Sequence, residues 1–89
     1  MLKHYDWDPA KNLDIQKKHG ISFPEIVSLI GQGNLVKVVI NRGPAYPDQK
    51  VLLVRKGKAI YMVPFEKRVG TLWLITAFYS PFYTKKHSR

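Results

Sequence analysis

The feature of this sequence that most restricts its fold is a change of hydrophobic period near Gly33. Before Gly33, two segments carry helix start and stop signals, whereas after it the apolar residues occur in short β-branched runs. Helices followed by strands with short connections predict an α+β domain, in which the helices cover one face of an antiparallel sheet. A length of 89 residues predicts one domain over residues 1–89.

Residues 9–19 carry a full set of signals for a helix. The Asp8 carboxylate can accept hydrogen bonds from free amides of the first turn, and Pro9 suits the first helical position because its missing N–H costs nothing there. Basic residues fill the last turn, and Gly20 provides the left-handed cap. Before this helix, aromatic and polar residues alternate over residues 4–7, which predicts a short, half-buried edge strand.

A second helix is predicted directly after the first. Ser22 and Glu25 have the spacing of a capping box, in which each side chain satisfies a backbone amide of the other residue. Apolar residues then recur along one helical face, at Phe23, Ile26, Val27 and Ile30. Because Gly31 and Gly33 end this pattern, the helix is expected to stop there and to pack its apolar face on a larger surface.

Four strands are predicted in the remainder of the chain, at residues 35–40, 50–55, 59–65 and 71–78. A tight turn at Lys56-Gly57 joins the second of them to the third as a hairpin. Pro64 has no N–H for a sheet ladder, so we expect it at an edge or a bulge. The prediction is therefore a four- to five-stranded antiparallel sheet with two N-terminal helices packed on one face.

Charge is the strongest compositional fact. Fifteen Lys and Arg against six Asp and Glu give a net charge of +9. Such an excess favours polyanions, because neutralising phosphates releases condensed counterions. An acidic protein partner would explain the same surplus equally well.

Other residue counts limit the class of protein. The absence of cysteine excludes disulfides and thiolate metal sites, and it fits a reducing cytoplasm. The longest apolar runs, such as residues 72–75, are far shorter than the ~20 residues of a membrane helix. We therefore expect a soluble, cytoplasmic protein that does not associate with membranes.

No catalytic motif stands out from the residues alone. The sequence has no P-loop, no HExxH motif and no zinc-ligand spacing, so we expect neither a metal ion nor another cofactor. Its Lys, Arg and Tyr residues are nevertheless suited to cutting RNA without a metal. Such a site needs a base for the ribose 2′-hydroxyl, cations for the phosphate and an acid for the leaving oxygen.

Each candidate residue has a structural alternative. His19 can cap the carbonyls at the end of the first helix, and Tyr61 and Tyr79 can belong to the core with a wet hydroxyl. Trp7 and Trp73 are predicted to be core residues. Solubilising charge at an exposed turn or a frayed tail is the alternative for Lys56, Lys58, Glu66, Lys67, Arg68 and residues 85–89.

The order of several motifs resembles the BrnT-type toxins. Residues 7–12 (WDPAKN) and 18–23 (KHGISF) are similar to the family's opening pattern WDPxKN…KHGxSF. Residues 46–50 (YPDQK) and 61–65 (YMVPF) are similar to the pattern YPxQ[KR]…YLVPF of one branch, and the tail at residues 84–86 matches in position. The resemblance covers most of the chain.

The resemblance implies a RelE-like fold and an endoribonuclease that inhibits translation by cleaving RNA, as the toxin of a type II toxin–antitoxin system. It also implies an acidic antitoxin, commonly a ribbon-helix-helix protein, that covers the toxin. Operator DNA would be contacted only through the complex with that antitoxin.

Two departures from the family pattern bear on activity. Ser80 is followed by Pro81 where related toxins carry Ser-Arg, so an arginine expected beside the phosphate is missing. The loss of such a contact is worth on the order of a hundredfold in rate. Because the chain stops at Arg89, little room is expected for a C-terminal helix.

The resemblance also assigns the candidate site residues. Gln49 and Lys50 occupy the polar pair of the second motif, and Lys50 is the first candidate for a phosphate contact. Arg42 and Tyr79 are expected to converge there, with His19 as a candidate base. Further candidates for binding RNA are Lys56, Lys58, Arg68, Lys85 and Lys86.

Three functions fit these observations. The first is a metal-independent endoribonuclease toxin, and the second is a basic module that binds RNA or DNA without cutting it. The third is a degenerate toxin that acts only through its antitoxin complex.

Overall fold

A computed structural model describes residues 4–41 and 49–87, which form three helices and six strands. In chain order these are β1 (His4–Trp7), α1 (Pro9–His19), α2 (Phe23–Gly31), β2 (Leu35–Asn41), β3 (Gln49–Lys56), β4 (Ala59–Arg68), β5 (Thr71–Leu74), β6 (Phe78–Tyr79) and α3 (Pro81–Lys86). The predicted α+β class is confirmed. None of the helices in the described part of the chain has the length and apolar character needed to cross a bilayer.

The six described strands form one mixed sheet. Their order is β1-β5-β4-β3-β2, and β6 pairs with β4 beyond the end of β5. The pairs from β2 to β5 are antiparallel, but β1 runs parallel to β5, with His4 opposite Thr71. The predicted four- to five-stranded antiparallel sheet is therefore wrong in strand number and in the direction of β1. Antiparallel pairing was inferred from short connections, whereas β1 and β5 are joined through two helices and three strands.

The two N-terminal helices form as predicted, because their caps are satisfied locally. The Asp8 carboxylate accepts the Ala10 N–H at 3.0 Å, and Gly20 ends α1 in the left-handed conformation with φ +67°. The side-chain oxygen of Asn12 accepts the Phe23 N–H at 2.8 Å, which ties the start of α2 to the middle of α1. This bond fixes the two helices relative to each other over the sheet.

The main core lies between the sheet and these two helices, on what we call the helix face. Phe23 and Ile26 from α2 and Ile15 from α1 are fully buried against it. Trp7, predicted to be a core residue, packs on Phe23 with ring centroids 5.6 Å apart and is partly buried at the border of this core. The strands contribute buried residues to this face from β3, β4 and β5, namely Leu52, Val54, Val63, Phe65, Leu72 and Leu74.

The C-terminal segment forms a docked helix, contrary to the expectation of little room for one. Ser80 is buried, and its hydroxyl accepts the Tyr83 N–H at 3.1 Å, while Pro81 takes the first helical position. Tyr83 packs against a second cluster of buried residues on the other face of the sheet, Val51, Leu53 and Ile60. Lys85 and Lys86 therefore belong to a helix rather than to a frayed tail.

The predicted last strand, residues 71–78, is interrupted in the structure. β5 ends at Leu74 and β6 begins at Phe78. Pro64 lies on the interior strand β4 and faces this interruption. Its carbonyl accepts the Ile75 N–H at 2.9 Å, and its nitrogen points to the same side of β4 as that carbonyl. Its missing N–H thus coincides with a break in strand pairing rather than with a sheet edge.

Candidate active site

Titratable side chains converge where α1 ends, α2 begins and the β3–β4 hairpin turns. Lys56 ends β3 opposite Ala59, so Tyr61 is its diagonal neighbour on the helix face. Tyr79 on β6 lies directly opposite Tyr61, and their rings meet edge to face with centroids 6.1 Å apart. The short hairpin and the β4–β6 pairing together hold one ammonium group and two phenols at the same end of the sheet.

An ion pair fixes the lysine of this group. The Glu25 carboxylate lies 2.8 Å from the Lys56 Nζ, and about two fifths of each side chain remains exposed, 37% and 39% respectively. The Ser22 hydroxyl accepts the Glu25 N–H at 3.2 Å, which is one half of the predicted capping box. The Glu25 carboxylate binds Lys56, so the start of α2 positions a charge partner for β3.

The ion pair also changes the acidity of the lysine. The hydrogen bond to Glu25 raises the pKa of Lys56, partial burial opposes this effect, and the Tyr61 phenol, once ionised, adds to it. Lys56 is therefore a firmly protonated cation on the helix face. Its attraction for a phosphate is reduced as long as Glu25 holds it.

His19 is the last residue of α1, a helix that contacts β6. Its exposed ring lies 6.4 Å from the ring of Phe78, the chain neighbour of Tyr79. Between α1 and α2 opens a cavity of about 250 Å³, which is bordered by Glu25 and lined further by Gln16, Gly20, Ile21 and Ser22. We call His19, Glu25, Lys56, Tyr61 and Tyr79 the hairpin cluster.

The hairpin cluster contains the residue types that metal-free RNA cleavage needs. An imidazole and a carboxylate can take up protons, an ammonium can stabilise negative charge on phosphate, and phenols can donate a proton or stack on bases. Catalytic contacts are often longer in the absence of substrate than in the reacting complex, so the open spacing of these groups is compatible with such a role.

Three of the predicted site residues meet in the hairpin cluster, and Lys50 does not. Lys50 lies six residues before Lys56 on the same strand, which places it about 20 Å away. It pairs with Phe65 and is remote from the strand position of Tyr79, so the expected convergence of these two residues is not found. Gln49 begins β3 opposite Asn41.

The remaining candidates lie elsewhere. Arg42 lies outside the described residues. Lys58 is exposed in the β3–β4 turn, next to the hairpin cluster in sequence. Lys85 and Lys86 belong to α3 on the opposite face, where Lys86 lies over the Phe82 ring at 5.8 Å.

Arg68 is held on the face opposite the hairpin cluster. Its guanidinium binds Glu66 at 2.8 Å and lies 4.2 Å above the centre of the Trp73 ring. Trp73 is thus half buried beneath Arg68. It was predicted to be a core residue, but it belongs to neither buried cluster. Arg68 therefore does not join the hairpin cluster in place of the missing arginine.

Sequence reasoning missed two members of the hairpin cluster. The sequence predicts only a helix-capping role for Glu25. For Tyr61 it does not distinguish a core position from a functional one. Glu25 lies in α2 and Lys56 lies at the end of β3, so no local sequence spacing predicts their contact. The available signal was weak: Glu25 is one of six acids in a strongly basic chain.

No protein-family model, curated protein or solved structure matches this chain. The functional assignment therefore depends on the ordered sequence motifs and on the geometry of the hairpin cluster.

Proposed function

We propose that this protein is a metal-independent endoribonuclease with a RelE-like fold, acting as the toxin of a type II toxin–antitoxin system. The observation that carries the nuclease proposal is the hairpin cluster, which unites an imidazole, a carboxylate, an ammonium and two phenols. The motifs that resemble BrnT-type toxins support the toxin assignment, and the net charge of +9 supports a polyanionic substrate.

In the proposed reaction, the 2′-oxygen of a ribose attacks the adjacent phosphorus and the bond to the 5′-oxygen breaks. His19 takes the proton from the 2′-hydroxyl, and the Tyr79 phenol supplies a proton to the leaving oxygen. Lys56 stabilises the charge that develops on the phosphate, after the phosphate has replaced Glu25 as its partner. The products are a 2′,3′-cyclic phosphate and a free 5′-hydroxyl.

Binding of RNA without cleavage is the second candidate function. Pro81 at the first position of α3 favours it, since an arginine is expected there in the related toxins. In this case the hairpin cluster would hold RNA through stacking and charge alone.

The deciding experiment incubates the purified protein with 5′-labelled single-stranded RNA in the presence of EDTA. We expect new RNA ends that carry a cyclic phosphate. The variants Lys56→Gln and His19→Gln should each slow cleavage on the order of a hundredfold. Lys67→Gln removes the same charge about 20 Å along β4 from Tyr61 and should leave the rate unchanged.

The outcomes separate the two candidates. Binding in a parallel anisotropy assay without new RNA ends supports the non-catalytic function. Cleavage that survives both Lys56→Gln and His19→Gln shows that the hairpin cluster is not the active site. The toxin assignment is tested separately by induced expression in bacteria, where growth arrest should depend on Lys56 and be relieved by the product of a neighbouring gene.

A further inference from the structure

The outermost strand β2 presents an apolar stripe. Val38 and Ile40 are 48% and 49% exposed, and Leu35 is 37% exposed. By their register with β3, all three lie on the helix face of the sheet. Exposed apolar residues on an outer strand mark a place where another strand can be added.

Among the described strands, only β3 pairs with β2, so the other edge of β2 has no described partner. The Arg55 N–H donates to the chain just before β2 at 2.9 Å, so the peptide groups of Arg55 face β2. Peptide groups alternate between the two neighbours along an antiparallel strand, so Leu53 also faces β2 and its partner Lys37 faces back. The N–H and C=O groups of Val38 and Ile40 consequently point to the open edge.

The positive charge of β2 and β3 indicates which kind of strand would pair with the edge of β2. β2 and β3 contain four cations and no acid: Lys37 and Arg55 lie on the face opposite the helices, whereas Lys50 and Lys56 lie on the helix face, where Glu25 pairs with Lys56. Edge-to-edge pairing of two copies would bring two such cationic ribbons together at a strand spacing of about 5 Å. An acidic strand would instead be attracted to the same edge.

We propose that an extended acidic segment of another protein chain binds β2 by adding a strand to the sheet. Its apolar residues would lie on the helix face beside Val38 and Ile40, and its acidic residues would lie on the opposite face beside Lys37. Alternating apolar and acidic residues would therefore recognise the edge. This proposal does not depend on whether the protein cleaves RNA.

The probe is a fluorescein-labelled peptide of five Glu-Val repeats, which is titrated with the full-length protein and followed by fluorescence anisotropy. One control peptide carries Lys in place of Glu. A second control has the same composition but five Glu followed by five Val, which removes the alternation. We expect the alternating acidic peptide to bind at least ten times more tightly than either control.

Two variants test the location. Val38→Pro removes an outward N–H without touching the β2–β3 hydrogen bonds, a substitution that edge strands tolerate. Val38→Glu leaves the backbone intact and places a like charge on the stripe. Each should weaken peptide binding at least tenfold, whereas Leu13→Glu, at a 61% exposed leucine of α1, should leave it unchanged.

Three results would overturn the proposal. The first is unchanged affinity in Val38→Pro and Val38→Glu proteins that keep the native circular dichroism spectrum. The second is no binding of the alternating acidic peptide at millimolar concentration. The third is a concentration-dependent dimer in analytical ultracentrifugation that Val38→Pro abolishes, because this would assign the edge to a second copy of the chain.

Discussion

At the residue scale, Lys56 combines two properties that seldom coincide on a protein surface. It is anchored, because the Glu25 carboxylate lies 2.8 Å from its ammonium, and it is still partly open to solvent. An exposed pair of this kind contributes at most about 1 kcal/mol to stability. Its importance lies in where it holds the charge, next to the Tyr61 phenol, whose ring in turn meets that of Tyr79.

The pKa of Lys56 provides a test of this pair. Because the pKa is raised in the folded state, mainly by the hydrogen bond to Glu25, the stabilisation is fully present below the unfolded value of about 10.4 and is lost as the pH rises through the folded value. We expect Glu25→Gln to lower the pKa of Lys56, measured by NMR titration of its side-chain Cε signal. A titration midpoint that stays the same in Glu25→Gln would show that the ion pair does not form in solution.

The members of the hairpin cluster differ in how far sequence predicts them. His19, Lys56 and Tyr79 have chemically informative side chains near predicted element ends, so residue type and position identified them. Glu25 has an equally good local role as a cap residue, and its second role depends on Lys56, which lies 31 residues later in the chain. Local patterns identify the candidates, whereas long-range contacts decide which of them meet.

At the element scale, a side-chain hydrogen bond adds to the packing of Tyr83 in holding α3 on the sheet. The Thr84 hydroxyl accepts the Ile60 N–H at 2.8 Å and lies 3.5 Å from the Ile60 carbonyl. Ile60 is the second residue of β4, so this bond also satisfies an amide of that strand next to the hairpin. The same carbonyl accepts the Ser80 N–H at 2.9 Å.

Thr84→Val tests this attachment, because valine has nearly the same shape but no hydroxyl. The change leaves the Ile60 N–H without its acceptor and should destabilise the protein by about 1–3 kcal/mol in urea unfolding. Hydrogen exchange at the Ile60 amide should become faster. Thr76→Val, in the loop before β6, should have a smaller effect on both measurements, and an equal effect of the two substitutions would contradict this role of Thr84.

The elements that sequence predicts well are those with local signals. α1 and α2 have caps within a few residues of their ends, and both form as expected. α3 has the same type of signal, since Ser80-Pro81 matches the Asp8-Pro9 start of α1, but it was interpreted only as a departure from a family motif. The parallel pairing of β1 with β5 has no local signal, because the paired residues, such as His4 and Thr71, lie 67 positions apart in the chain.

At the scale of the whole molecule, the net charge of +9 should make the proposed association with RNA dependent on salt. If about three phosphates are contacted, the logarithm of the binding constant for single-stranded RNA should fall with the logarithm of salt concentration with a slope near −2. Lys56→Gln should reduce this slope by about 0.7, because one phosphate contact is lost. Anisotropy titrations over roughly 50 to 300 mM KCl measure this slope. A slope near zero would contradict an electrostatic interface.

The parallel pairing of β1 with β5 also determines when the molecule becomes complete during its synthesis. Residue 4 is made early, but its partner at residue 71 emerges near the end, and Tyr79 and α3 follow later still. Contacts between such distant segments form slowly, after the local helices and hairpin. A nascent chain on the ribosome therefore holds His19 and Glu25 long before it holds Tyr79, and a growing chain lacks the full hairpin cluster until residue 79 has been added.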